Sequence, residues 1–157
     1  ASLTLEGAHP GLADASQRPA RLKQDQHWAA RFSNEPPDRV WADWYRQPLF
    51  ADLDEDERQM RVAERSQSDG PALAALLDGC SLARQPDLRP IIADLPCPVH
   101  YLFGDRDTRY AHIANSLCHT APHLGCLAIT GAGHNAHRAQ PQAVAAVLNL
   151  LWSLADD

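Results

Sequence analysis

Lysine is almost absent: Lys23 is the one lysine among 157 residues, and 14 Lys+Arg stand against 20 Asp+Glu for a formal net charge of −6. Binding to a phosphate backbone draws on clustered cations that displace its counterions, so this balance argues against a nucleic-acid partner, and any anionic ligand must meet a few placed arginines. No apolar run approaches the ~20 residues of a membrane span. The opening residues ASLTLEGAHP have neither a basic nor a long apolar segment, which predicts a soluble, non-secreted, cytoplasmic protein. The four cysteines, Cys80, Cys97, Cys118 and Cys126, form no C-x-x-C pair and are too sparse for a disulfide scaffold, so reduced thiols are expected. H-E-x-x-H is missing too, and His134-x-x-His137 has no third ligand at a convincing spacing, so neither a metal nor another cofactor is predicted.

What is present is globular. The chain is 45% hydrophobic and 22% charged, which excludes disorder, a collagen-like repeat or a coiled-coil rod, and its length normally makes one domain. It begins directly in the alternating stretch Leu3-Thr4-Leu5, like a chain entered in the middle. Ser2 to Leu5 reads as the end of a strand, and the Gly- and Pro-rich segment 6–12 as a loop. From Gln17 to about Arg84 only helical patterns occur: Trp28, Ala29 and Phe32, then Val40, Trp41, Trp44 and Tyr45, then a charged helix opening at Asp54-Glu55-Asp56-Glu57, where acids favour a helix start. Gly70-Pro71 introduces another, with Leu73, Leu76, Leu77 and Cys80 on one face.

After Pro90 the texture changes. Segment 97–103 is a compact apolar run closed by Gly104, the profile of a strand covered on both faces. A helix is expected from about Arg109 to Thr120, a second covered strand from Leu124 to Thr130, and a final helix from Pro141 with Val144, Val147, Leu148, Leu151 and Leu154 on one stripe. Strand, helix, strand, helix is a parallel α/β unit. Ligands of such sheets gather at the carboxyl ends of the strands, and here those ends carry Gly104-Asp105-Arg106-Asp107 and Gly131-Ala132-Gly133-His134. A crossover helix would bring Asp107 beside His134, 27 residues later. A carboxylate at an imidazole fixes the tautomer and stabilises the imidazolium. Asp and His are also frequent as ordinary loop residues, but the glycines strengthen the catalytic reading: G-x-x-D and G-x-G-H at consecutive strand ends match the pattern in which serine precedes acid and acid precedes histidine. No G-x-S-x-G occurs in the chain.

This order resembles the C-terminal part of an α/β-hydrolase carrying an all-helical cap insertion. More narrowly, segments 6–12 (EGAHPGL), 42–48 (ADWYRQP), 85–89 (QPDLR) and 131–138 (GAGHNAHR) resemble the MenH family, the 2-succinyl-6-hydroxy-2,4-cyclohexadiene-1-carboxylate synthases of menaquinone biosynthesis. The resemblance implies a core strand and loop at 1–12, a cap at 13–88 and C-terminal strands and helices of the core at 89–157. It implies a lyase that eliminates pyruvate from a succinyl-enolpyruvyl cyclohexene carboxylate, with a Ser-His-Asp triad abstracting a ring proton. Asp107 would be the triad acid, preferred to Asp105 as the last residue of G-x-x-D, and His134 the base. Arg21 and Arg65 would hold carboxylates of a polycarboxylate substrate, whose geometry suits guanidinium groups, and Trp44 would line the same pocket. An ordinary helix face and a core anchor are the plain alternatives for the arginines and for Trp44.

The serine is then expected before Ala1, in a polypeptide of roughly 250 residues. The segment alone would be inactive and would expose a sheet edge until joined by its N-terminal half. A generic carboxylic-ester or thioester hydrolase shares the scaffold and remains an alternative. A non-catalytic α/β-hydrolase-like binding module is another, favoured by the missing serine and disfavoured by the retained acid and histidine.

Overall fold

The computed structural model describes residues 1–121 and 123–155, the last two by backbone alone, so the side chain of Leu154 lies outside the described set. The chain divides into two compact units, Gly11–Asp87 and a second made of Ala1–Pro10 with the described residues from Leu88 onward.

The second unit is built on a parallel sheet of β1 (Leu3–Glu6), β2 (Val99–Gly104) and β3 (Gly125–Ile129), in that order. Leu3 stands opposite Val99, and His100 opposite Gly125. Parallel neighbours cannot be joined by a hairpin, and the connection from β2 to β3 is a helix. The last helix buries Val144 and Leu151 against Leu102, Ile129, Ala132 and Ala136, with Val147 and Leu148 partly buried beside them. Each such side chain contributes about 1.5–3 kcal/mol when fully covered. Four residues of the stripe read from the sequence, Val144, Val147, Leu148 and Leu151, therefore face the sheet. β3 is less covered than expected: Ile129 is buried but Ala128 is exposed, because β3 pairs with β2 on one side and is an edge among the described strands.

The helical unit contains α1 (Arg18–Asn34), α2 (Pro37–Trp44), α3 (Glu55–Arg65) and α4 (Gly70–Gly79), with 3-10 turns at Ala15–Gln17 and Pro48–Phe50. α1 packs along α4, and α2 along α3. Phe32, Val40, Trp41, Tyr45 and Phe50 are buried together, with Trp28, Trp44, Leu73 and Leu77 partly buried against them. Leu76 and Cys80, read on one face with Leu73 and Leu77, are exposed. α3 begins with a capping box: Asp54 accepts from the Glu57 backbone N–H, and Glu57 accepts from that of Asp54.

The second unit also holds α5 (Arg89–Ala93), α6 (Thr108–Thr120), α7 (Ala136–Ala139) and α8 (Pro141–Ala155). α5 and α7 are too short to show a period in sequence. One expectation about covalent structure is corrected here. Cys118, near the end of α6, and Cys126, in β3, form a disulfide, while Cys80 and Cys97 are free. The bond joins cysteines eight residues apart on neighbouring elements, a proximity that no C-x-x-C spacing announces.

Candidate active site

The glycines of the two strand-end motifs explain how their loops come together. A Cβ on Gly104 would lie 2.2 Å from the carbonyl oxygens of both Ala132 and Gly133, so only glycine lets the G-x-G-H backbone pass this close to the end of β2. Arg106 N–H donates to Ala132 O and Asp105 N–H to Ile129 O, tying the loops by backbone bonds of 3.0 and 3.1 Å. The two acids then take different tasks. Asp105 Oδ1 accepts from the Gly131 N–H at 2.9 Å and braces the neighbouring loop.

Asp107 turns inward and is buried. Its Oδ1 accepts from the Tyr110 backbone N–H at 3.1 Å, capping α6, while its Oδ2 lies 2.9 Å from His134 Nδ1. One carboxylate thus orients both the helix and the imidazole, with Nδ1–H as the donor.

Other residues shape the seat of His134. Tyr110 sets its ring 4.5 Å from the imidazole centroid, and His9 meets Tyr110 edge-on at 6.4 Å. Gly7, just past β1 with φ +51°, also lies close to the ring: a Cβ there would be 3.2 Å from His134 Cε1. Glu6 Oε1 accepts from both the backbone N–H of His137 and its ring Nδ1, at 3.0 and 2.9 Å. Tyr101 lies buried in β2 and donates to Ala8 O at 2.6 Å; burial pushes its phenol pKa up, with the nearby Tyr110 and Asp107 adding to the effect. Sequence reasoning missed Glu6, Gly7 and Tyr110. Tyr110 could have been found as the residue three after a helix-capping aspartate.

No family model matches the chain. It is 48% identical over 146 residues to the 2-succinyl-6-hydroxy-2,4-cyclohexadiene-1-carboxylate synthase of Enterobacter sp. strain 638, covering 93% of this chain and 55% of that protein. It is 49% identical over 146 residues to the synthase of the same name from Klebsiella pneumoniae, with 93% and 56% covered. Among solved structures it resembles MenH from S. aureus, with a TM-score of 0.89 at 20% identity over 99% of this chain and 60% of that one. The chain has the C-terminal part of an α/β-hydrolase fold and is similar to MenH. Its strands and crossover helices are those of the C-terminal part of that fold. A thermophilic esterase from Thermogutta terrifontis shares the fold at a TM-score of 0.70 and 21% identity, over 98% of this chain and 56% of that one. The chain spans about half the length of the curated MenH relatives it matches.

The other sequence-predicted residues of this MenH-like chain belong to the helical unit. Arg21 pairs through Nε with both oxygens of Asp25, at 2.9 and 2.8 Å. Arg65 is exposed, with its guanidinium carbon 5.9 Å from the Trp41 ring centroid. Trp44 is half-buried, packed edge-on to Trp28 at 5.0 Å and Trp41 at 6.0 Å. Among the described residues no three His, Cys, Asp or Glu side chains are grouped to hold a metal ion, and no helix is long and apolar enough to cross a membrane.

Proposed function

We propose that the whole protein is a carbon–oxygen lyase of the MenH type, eliminating pyruvate from 2-succinyl-5-enolpyruvyl-6-hydroxy-3-cyclohexene-1-carboxylate in menaquinone biosynthesis. The observation that carries this reading is the 2.9 Å contact between His134 Nδ1 and Asp107 Oδ2 at neighbouring parallel strand ends. It occurs in a chain 48% identical to a synthase of that name. With Nδ1–H donated to Asp107, the basic nitrogen is Nε2, and the carboxylate stabilises the imidazolium formed when the ring takes a proton. On this reading His134 draws a proton from the substrate ring through a serine hydroxyl. The C–H electron pair forms one ring double bond, the existing ring double bond shifts by one position to the carbon that bears the enolpyruvyl group, the C–O bond at that carbon breaks, and the departing enolate takes up a proton to become pyruvate.

No G-x-S-x-G lies within the 157 residues, so the reading assigns the serine, and the rest of the sheet, to an N-terminal half in the same cytoplasmic protein. Arg21 and Arg65 bind substrate carboxylates and Trp44 lines the pocket. Arg21 supports this role by its partial exposure, 28% of the side chain. The test is the full-length enzyme with Arg21→Ala or Arg65→Ala. Turnover of the polycarboxylate should fall about 100-fold, whereas a small neutral ester, if cleaved at all, should be cleaved as before. Equal losses on both substrates would instead support the generic ester hydrolase, whose fold the esterase shares.

A further inference from the structure

Among the described residues, the buried polar or charged side chains are Asp25, Ser81 and Asp107. Asp107 belongs to the strand-end site, and the other two are bonded to each other in the helical unit. Ser81 Oγ–H donates to Asp25 Oδ2 at 2.7 Å, while Ser81 Oγ accepts from the Ala83 backbone N–H at 3.1 Å. Asp25 is 5% exposed. A carboxylate so placed is costly to bury without a cation, and its cation is Arg21, one helical turn earlier in α1.

The geometry of that pair is specific. Arg21 spends its Nε–H on Asp25, 2.9 and 2.8 Å from the two oxygens, and among the described residues its side chain makes no other hydrogen bond. A guanidinium can grip a carboxylate side-on, through Nε and one Nη, or end-on, through Nη1 and Nη2. Here the Nε edge is occupied by a buried acid that Ser81 holds in place.

We propose that Asp25 and Ser81 are positioning residues for Arg21, fixing its guanidinium so that the Nη1–Nη2 end receives one carboxylate of the substrate. The proposal rests on the substrate-binding role assigned to Arg21 above. Asp25 and Ser81 touch no substrate; they remove the rotamer freedom that a long arginine side chain would otherwise lose on binding.

The test uses the full-length enzyme and the enolpyruvyl cyclohexene carboxylate substrate, comparing Asp25→Asn, Ser81→Ala, Arg21→Ala and the double variant Asp25→Asn/Arg21→Ala. Asp25→Asn should raise KM about 10-fold and Ser81→Ala about 3-fold, with kcat within about twofold. Once Arg21 is removed, Asp25→Asn should raise KM no further. A general loosening of the helical unit would give the opposite pattern, with the Asp25→Asn effect persisting in the Arg21→Ala background, and would overturn the proposal. So would an unchanged KM in both Asp25→Asn and Ser81→Ala beside a large increase in Arg21→Ala; the role of Arg21 would then stand alone. An unchanged KM in Arg21→Ala would overturn the substrate-binding role itself, and this inference with it.

Discussion

Asp107 divides its two oxygens between a helix and an imidazole, which separates its structural from its proposed chemical contribution. Asparagine also caps helices well, so Asp107→Asn should leave the melting temperature nearly unchanged while turnover falls by about 10⁴-fold, the scale seen when a triad imidazole is held in the wrong tautomer. Asp107→Ala should lose activity and also about 1 kcal/mol of stability from the cap. Thermal melts beside steady-state rates check both. Gly7 makes a second prediction. Alanine there must adopt φ +51° at a cost of about 1–2 kcal/mol, and its Cβ would press on His134 Cε1 at 3.2 Å. Gly7→Ala should therefore lower kcat at least tenfold by moving the imidazole. Unchanged kcat in a folded Gly7→Ala enzyme would contradict this account of the seat. Asp107 and His134 were legible because glycine punctuates both strand ends. Gly7 was not, since its neighbour across the sheet lies far along the chain.

The elements differ in how openly their sequences declare them. The final helix showed a five-residue stripe and α3 an acidic first turn, whereas α5 and α7 were too short to show either. Two element-level predictions follow from contacts that pattern alone did not reveal. Arg31 in α1 bonds Glu35 and reaches Asp43 in α2, at 2.9 and 2.7 Å. These hydrogen bonds hold both carboxyls below their usual range and push the guanidinium up. A carboxyl depressed in the folded state adds stability above the unfolded value of about 4, and that stability is lost as pH falls through the folded value. Arg31→Ala should therefore lower the melting temperature at pH 7 and narrow the gap from wild type as the pH drops. A constant gap down to strongly acidic pH would contradict the ion-pair network. The disulfide gives the other prediction: unreduced denatured protein should take up alkylating reagent at Cys80 and Cys97 only, and at Cys118 and Cys126 after reduction. Labelling of all four without reductant would restore the reduced-thiol expectation drawn from the sequence.

At the scale of the molecule, a net charge of −6 is compatible with the proposed polyanionic substrate, because a few placed guanidinium groups can select a carboxylate whatever the sign of the overall field. The sequence motifs that pointed to an α/β-hydrolase are local, whereas a triad is completed only when distant segments of a sheet are assembled. The chain spans about half the length of its MenH relatives and contains no G-x-S-x-G, so the whole gene product is the proper subject of an activity measurement. The most direct one follows pyruvate release from 2-succinyl-5-enolpyruvyl-6-hydroxy-3-cyclohexene-1-carboxylate by that product and by its His134→Ala variant. Rapid release by the wild type and a loss of at least about 10³-fold in the variant are predicted; no release by the wild type, or an undiminished rate without His134, would contradict the lyase mechanism.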